Sequence, residues 1–177
     1  DTPPDKLLVV VKGPDFPTGC SILNTKKELK DIYKTGSGAI RMRADYSVEN
    51  LARGKRAIVI TSIPYTVDKS ALVEKIADLI VSRKVPQLND IRDESTTDIR
   101  IVLELAGEAD AETAMAYLFK NTLLQNNFNV NLTALVPTDN PLSGKPLQVG
   151  LKQMLGEFIT FRLKVIRCKL LFEKGKL

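Results

Sequence analysis

Residues 39–63 read AIRMRADYSVENLARGKRAIVITSI, and this stretch decides the fold. Apolar side chains alternate in part with charged and polar ones over residues 39–49, which is typical of a strand with one apolar and one charged face. A turn over residues 52–55 leads to an apolar strand over residues 57–63. The stretch therefore predicts a β-hairpin whose loop and outer face are basic.

On either side of this hairpin, helices and strands interleave without a regular repeat. Thr25 and Glu28 have the spacing of a capping box, which predicts the start of a short helix. Further predictions are helices over residues 25–34, 69–83 and 110–121, strands over residues 88–94, 98–105 and 130–136, and a loop over residues 137–149. The order β-β-α-β-β-α-β predicts an α+β fold, a two-layer sandwich with a mostly antiparallel sheet. From residue 150, apolar side chains recur every three or four positions, which predicts a long C-terminal helix that packs on another helix.

Composition excludes several classes of protein. The 177 residues are 44% hydrophobic and 27% charged, which is ordinary for a soluble globular chain. No apolar run approaches the length of a membrane span, and the run at residues 7–11 has the length of a strand, so we expect no membrane association. Histidine is absent, which argues against a self-contained hydrolase. Cys20 and Cys168 form no metal or disulfide pattern, so we expect a reducing cytoplasm.

The net charge of +5 is unevenly distributed. Residues 24–56 carry nine Lys or Arg against four acids, and residues 150–177 carry seven against two. Two basic segments that flank an acidic body suit a protein that meets a polyanion, although a solvated charged face is the alternative. Arg41 and Arg43 share one face of the predicted strand, which makes them candidates for phosphate contacts, the alternative again being a solvated face.

Four motifs stand in a characteristic order. They are GPDFPT at residues 13–18, YKTGSG at 33–38, IPYTVDK at 63–69 and RDES at 92–95. Their order and spacing resemble the A subunit of the bacterial type IIA DNA topoisomerases, gyrase and topoisomerase IV. They fall in the segment of that protein called the tower or shoulder, and the resemblance covers nearly the whole chain.

The resemblance implies a set of DNA-binding residues. By position, Ile22 corresponds to the apolar residue that wedges between base pairs of the cut DNA, although an ordinary buried side chain is the alternative. Lys34 and Ser37 stand where the family has two arginines, so one charge is kept without its bidentate fork and the other is lost. The expected DNA-binding residues are thus Ile22, Lys34, Ser37, Arg41 and Arg43.

The resemblance also implies what the chain lacks. In the family the nucleophilic tyrosine follows an arginine directly, whereas the four tyrosines here follow isoleucine, aspartate, proline and alanine. We therefore expect no catalytic residue, no metal site and no activity of this chain alone. Magnesium and ATP would belong to the partner subunit of the parent enzyme. The expected partners are double-stranded DNA, a second A subunit and the topoisomerase B subunit, with a monomer when this chain is isolated.

The expected organisation has three parts: residues 1–24 lead in with the DNA wedge, residues 25–149 form the α+β tower, and residues 150–177 start a long helix towards the exit gate. The implied function is to bind and bend DNA in an ATP-dependent enzyme that passes one duplex through another. A non-catalytic DNA-binding scaffold that lacks the cleavage domain is the alternative. An α+β module that binds RNA or protein is a third interpretation, although the chain lacks an evident cluster of exposed aromatic residues for base stacking.

Overall fold

A computed structural model describes residues 4–51, 54–138 and 143–176 of the chain. The helices formed by these residues are α1 (Pro4–Val10), α2 (Lys26–Thr35), α3 (Lys69–Val81), α4 (Ala111–Asn121) and α5 (Leu151–Lys174). The strands are β1 (Ser21–Ile22), β2 (Ser37–Arg43), β3 (Tyr46–Asn50), β4 (Arg56–Ile60), β5 (Leu88–Asp93), β6 (Ile101–Leu105), β7 (Gln125–Asn131), β8 (Thr133–Pro137) and β9 (Gly144–Gln148). The predicted α+β class with antiparallel pairing and a long C-terminal helix is confirmed.

Two compact units make up the described part of the chain. The first unit comprises the described residues up to 13, residues 24–40 and the described residues from 129 onward. The second unit comprises residues 14–23 and 41–128. Each unit is therefore built from separate stretches of sequence.

The second unit contains the predicted two layers. Its four-stranded sheet has the order β3-β4-β6-β5, and α3 and α4 pack on one face. Side chains that alternate along β4 and β6 point towards these helices and are almost completely buried. The core of this layer includes Ile58, Ile60, Leu103, Leu72, Ile76, Met115 and Leu118. The returning strand predicted over residues 57–63 is confirmed as β4, which ends earlier, at Ile60.

Local signals in the sequence place the helix starts correctly. The Thr25 hydroxyl accepts the Glu28 N–H at 3.3 Å, and the Thr25 N–H donates to Glu28 Oε2 at 2.7 Å, so the predicted capping box is confirmed. Asp68 caps α3 by accepting the Ala71 N–H at 2.7 Å. The capping box depends on residues three positions apart, which is why sequence alone reveals it.

The single strand predicted over residues 39–49 is wrong, because two strands in different sheets occupy that range. The chain changes sheet at Ala44 and Asp45. The Ala44 N–H donates to the Leu124 carbonyl oxygen at 2.8 Å, and the Asp45 N–H donates to Ser62 Oγ at 2.8 Å. The hairpin itself is confirmed for β3 and β4, whereas residues 52 and 53 of its predicted turn lie outside the described residues.

The predicted strand over residues 130–136 is likewise divided in two, at Leu132. The Leu132 N–H donates to the Gly36 carbonyl oxygen at 2.7 Å, while the Leu132 carbonyl oxygen accepts the Val149 N–H at 3.0 Å. The loop predicted over residues 137–149 is wrong for its second half, since β9 pairs with β8. Pro146 is tolerated there because each strand of a two-stranded ladder has one unpaired edge.

The two ends of the described chain are helical. Residues 4–10 form α1 although valine-rich runs favour strands, and the Val11 N–H donates to the Leu7 carbonyl oxygen at 2.7 Å. The predicted long helix is confirmed as α5, whose side chains are largely exposed.

Among the described residues, no helix combines the length and the apolar character needed to span a membrane.

Candidate nucleic-acid interface

Ile22 lies on β1, a two-residue strand at the edge of the sheet with the order β1-β2-β7. Ser21 is paired with Arg43 and Ile22 with Met42, and the Leu23 N–H donates to the Arg41 carbonyl oxygen at 2.9 Å. The Ile22 side chain is half-buried, so part of its apolar surface still contacts solvent. It is therefore neither fully exposed nor an ordinary core side chain.

A tight bend at Gly19 and Cys20 directly precedes β1. Gly19 and Cys20 both have left-handed backbone conformations, with φ of 74° and 82°. The Gly19 N–H closes the bend by donating to the Phe16 carbonyl oxygen at 3.0 Å. A left-handed conformation is routine for glycine and costly for cysteine. The bend before Ile22 is consequently held by its surroundings.

An aromatic cluster anchors the start of the same segment. The Phe16 ring lies 5.3 Å from the Phe128 ring and 5.8 Å from the Tyr65 ring, measured between centroids. Tyr65 and Phe128 are themselves 5.8 Å apart. These separations are in the favourable range for aromatic pairs. Phe16 and Tyr65 belong to motifs that sequence reasoning singled out, whereas Phe128 carried no such signal.

Arg41 and Arg43 lie on the outward face of β2, as the alternation predicted. Ile40 and Met42, which flank Arg41, are 1% and 0% exposed and point to the opposite face. Directly paired residues of antiparallel strands point to the same face, so Ile22 shares the face of Met42. Strand pairing therefore places Ile22 next to the two arginines along the sheet, but its side chain lies on the opposite face from theirs.

The two arginines differ in their surroundings. Arg41 is exposed. The Arg43 guanidinium lies 4.7 Å above the Phe119 ring, and Arg43 Nε donates to Gln125 Oε1 at 2.8 Å. Stacking and a hydrogen bond fix the guanidinium in place, with its terminal nitrogens as further donors. Sequence reasoning missed Phe119 and Gln125, because no local pattern links residues so far from Arg43 along the chain.

Lys34 and Ser37 belong to the first unit, where both are exposed. Thr35 lies between them in sequence, and its hydroxyl donates to the Asp31 carbonyl oxygen at 2.9 Å and accepts the Ser37 N–H at 3.3 Å. Gly36 ends α2 with φ of 73° and is buried. The bend thus presents two polar side chains on either side of a glycine with no room for a side chain.

The RDES motif at residues 92–95 stands where β5 ends and a turn begins, and its charged side chains form ion pairs. Lys69 Nζ lies 2.7 Å from Asp93 Oδ2, and Glu94 lies 3.6 Å from Arg92 and 3.3 Å from Arg100. Among the described residues, no group of three or more His, Cys, Asp or Glu side chains is placed to hold a metal ion. Because cations already neutralise these carboxylates, the turn does not fit a magnesium site.

The Asp93–Lys69 pair leads to a pH prediction. Hydrogen bonds from Lys69 and Ser95 lower the pKa of Asp93 from its ordinary 3.8 to about 2. A carboxylate whose pKa is lower in the folded chain stabilises that chain above its unfolded pKa and loses this effect as it becomes protonated. The difference in unfolding free energy between the wild type and Asp93→Asn should be constant well above pH 4 and shrink as the pH falls from about 4 to about 2.

Urea unfolding at a series of pH values measures this difference. Lys69→Met is the matched variant, and Asp93→Asn should have a smaller pH-dependent effect in its background. A difference that stays constant over the same acidic range would contradict the assigned ion pair.

Comparisons with known proteins bear on the whole chain. A family model that describes the A subunit of DNA gyrase/topoisomerase IV matches residues 1–177. The A subunit of DNA topoisomerase 4 from Streptococcus pyogenes serotype M1 is 42% identical over 173 residues, 97% of this chain and 20% of that protein. Its counterpart from Caulobacter vibrioides is 45% identical over 161 residues, 90% of this chain and 21% of that protein. The A subunit of DNA gyrase from Metamycoplasma arthritidis is 41% identical over 173 residues, 97% of this chain and 18% of that protein. The chain spans about a fifth of the length of these relatives.

Proposed function

Because this chain belongs to the family of DNA gyrase and topoisomerase IV A subunits, we propose that it is the DNA-binding and DNA-bending tower domain of an ATP-dependent type IIA DNA topoisomerase. In the intact enzyme one duplex passes through a transient double-strand break in another. This part of the enzyme contributes binding and deformation of the cut duplex, and no bond chemistry.

The observation that carries the proposal is the placement of Ile22. An aliphatic side chain on a two-residue edge strand is half-buried and has apolar surface left to bury. Insertion of such a side chain unstacks one base step at a cost of a few kcal/mol, and the kink lets the duplex contact more protein. A duplex that approaches the β1 edge meets Ile22 on one face of the sheet and the two arginines on the other.

Arg41 and Arg43 supply the phosphate contacts in this proposal. Phosphate contacts set affinity and register, and each one releases condensed counterions from the DNA. The Arg43 guanidinium is held in place by Phe119 and Gln125. In the first unit, Lys34 adds a charge that is not bidentate, and Ser37 adds a hydroxyl group.

A salt titration of DNA binding tests this assignment. In the full-length protein, Arg41→Ala is expected to weaken binding to all DNA sequences alike. The slope of log affinity against log salt should also become shallower by about 0.9, the value for one lost phosphate contact. Lys75→Ala, which removes an exposed charge from α3, is the matched control and should leave the slope unchanged. An unchanged slope in Arg41→Ala would refute its phosphate contact.

In this proposal, other parts of the enzyme carry out the bond chemistry. None of the four tyrosines follows an arginine, so the cleaving nucleophile is assigned to an upstream part of the same protein. Magnesium and ATP are assigned to the B subunit. A second copy of the A subunit completes the enzyme in the cytoplasm. Residues 1–24 lead in with the wedge, residues 25–149 form the tower, and residues 150–177 start the helix towards the exit gate. This chain alone is expected to be inactive and monomeric.

A non-catalytic DNA-binding scaffold remains the second candidate function. The replacement of two family arginines by Lys34 and Ser37 favours it, since the loop then binds phosphate less strongly. The gene upstream of these residues distinguishes the candidates. An Arg-Tyr pair in an upstream winged-helix domain supports the cutting enzyme, whereas a native start near residue 1 supports the scaffold.

A further inference from the structure

A polar network ties the bend before Ile22 to the corner between β2 and β3. The Ser21 hydroxyl donates to Asp45 Oδ1 at 2.5 Å, and the Ser62 hydroxyl donates to Asp45 Oδ2 at 3.0 Å. Ser62 Oγ in turn accepts the Asp45 N–H at 2.8 Å and the Cys20 thiol at 3.4 Å. Two adjacent residues of the bend, Cys20 and Ser21, are therefore bound to one carboxylate–hydroxyl pair.

The network is built into the second unit and is more than a surface contact. Ser62 is 6% exposed, and the Asp45 carbonyl oxygen accepts the Thr61 N–H at 3.0 Å, so the pair is fixed to the chain that follows β4. Burial raises the pKa of the Cys20 thiol, the hydrogen bond with Ser62 lowers it and the Asp45 carboxylate raises it, and the net shift is upward. The thiol consequently stays protonated and donates its hydrogen bond to Ser62 Oγ.

The pairing of β1 with β2 is too short to fix Ile22, the proposed wedge, by itself. β1 has two positions in register with β2, and two neighbouring residues of the bend are left-handed, one of them a cysteine. A backbone in that conformation persists only where surrounding contacts determine it. The hydrogen bonds of Cys20 and Ser21 supply such contacts, in addition to the Gly19 N–H bond to the Phe16 carbonyl oxygen.

We propose that Asp45 and Ser62 are positioning residues for the wedge, fixing the bend at Cys20 and Ser21 so that Ile22 is already oriented before DNA arrives. The inference rests on the proposed function, in which Ile22 inserts between base pairs. A side chain that is oriented beforehand loses less conformational entropy on binding, so preorganisation raises the fraction of bent DNA. Neither positioning residue needs to touch the duplex.

The test measures DNA bending by fluorescence transfer on a doubly labelled duplex, with the full-length protein in complex with its B subunit. Ser21→Ala removes the link nearest to the wedge at an exposed position. It is expected to lower the ratio of bent to straight complex by about threefold to tenfold, the range that one hydrogen bond allows. Ser21→Thr keeps the hydroxyl and should retain most of the bending.

A matched control comes from the same corner of the fold. The Thr61 hydroxyl donates to the Asp45 carbonyl oxygen at 3.3 Å, which is a backbone atom and not part of the carboxylate–hydroxyl pair. Thr61→Ala therefore removes a hydrogen bond at the corner and leaves those of Cys20 and Ser21 in place. This variant should bend DNA normally.

The double variant separates positioning from general weakening. If Ser21 acts through Ile22, then Ser21→Ala should cause no further loss of bending in the Ile22→Ala background, since coupled residues are not additive. Full additivity, or an equal loss in Thr61→Ala, would overturn the inference.

The same experiment distinguishes this inference from the proposed function. If Ile22→Ala lowers bending and Ser21→Ala does not, the positioning role is wrong and the wedge stands. If Ile22→Ala leaves bending unchanged, the wedge is wrong and the positioning role falls with it.

Discussion

Gly36→Ala is expected to lower the free energy of unfolding of this chain by about 3 kcal/mol or more. A Cβ at Gly36 would lie 2.1 Å from the Val149 carbonyl oxygen and 2.8 Å from its carbon, and both atoms belong to backbone. The φ of 73° adds the cost of a left-handed conformation for alanine. The backbone cannot move aside freely, because the Gly36 carbonyl oxygen also accepts the Leu132 N–H at 2.7 Å.

Gly107→Ala is the matched control for this prediction. Gly107 has φ of 54°, and a Cβ there would meet nothing within 4 Å, so the substitution incurs the conformational cost without the clash. Its expected loss is about 1 kcal/mol. Urea unfolding of both variants measures the difference. Equal losses of unfolding free energy in the two variants would mean that the expected clash between the new Cβ and Val149 does not destabilise the chain.

Ile22→Ala is expected to cause the largest functional loss. In the full-length enzyme the ratio of bent to straight DNA should fall about fourfold to tenfold. A fully buried isoleucine contributes about 1.5–3 kcal/mol, and the half-buried side chain has about half of that left to gain. DNA cleavage should fall with bending, whereas ATP turnover without DNA should not change, because that step does not involve the wedge.

Two substitutions control for side effects of the Ile22 variant. Leu23→Ala removes a half-buried neighbour of the same size and should leave bending near the wild-type value. Ile22→Leu keeps the aliphatic volume and should retain most of the bending. If Ile22→Ala bends DNA as well as the wild type does, Ile22 is not the wedge.

Sequence predicted those parts of the fold that depend on neighbouring residues. The capping box at Thr25 requires a partner three positions away, so the start of α2 can be predicted from sequence. The apolar strand β4 is recognisable because its burial follows from composition, although it ends at Ile60 and not at residue 63.

The errors arise where distant residues decide the structure. Ala44 ends β2 because it bonds to Leu124, and Asp45 starts a new sheet because it bonds to Ser62. Neither partner could be identified from an alternating pattern that continues through both positions. Leu132 divides the later strand for the same reason, through its bonds to Gly36 and Val149.

In the candidate site, too, sequence predicts what neighbouring residues decide and misses what distant residues decide. The alternation along β2 placed Arg41 and Arg43 on one face correctly, and the motifs pointed to Phe16 and Tyr65. The stacking of Arg43 on Phe119 joins residues of different elements. Such pairs leave no signature in one sequence, because they depend on how a strand and a helix pack.

The division of the chain into discontinuous stretches has a consequence for synthesis on the ribosome. All of the second unit has been translated by residue 128, while the first unit still lacks every residue from 129 onward, including α5. Translation at about 5–20 residues per second then needs several more seconds to supply them. The unit that carries Ile22 and the arginines is therefore expected to fold first, because α2 cannot form its contacts with α5 until that later helix has been translated.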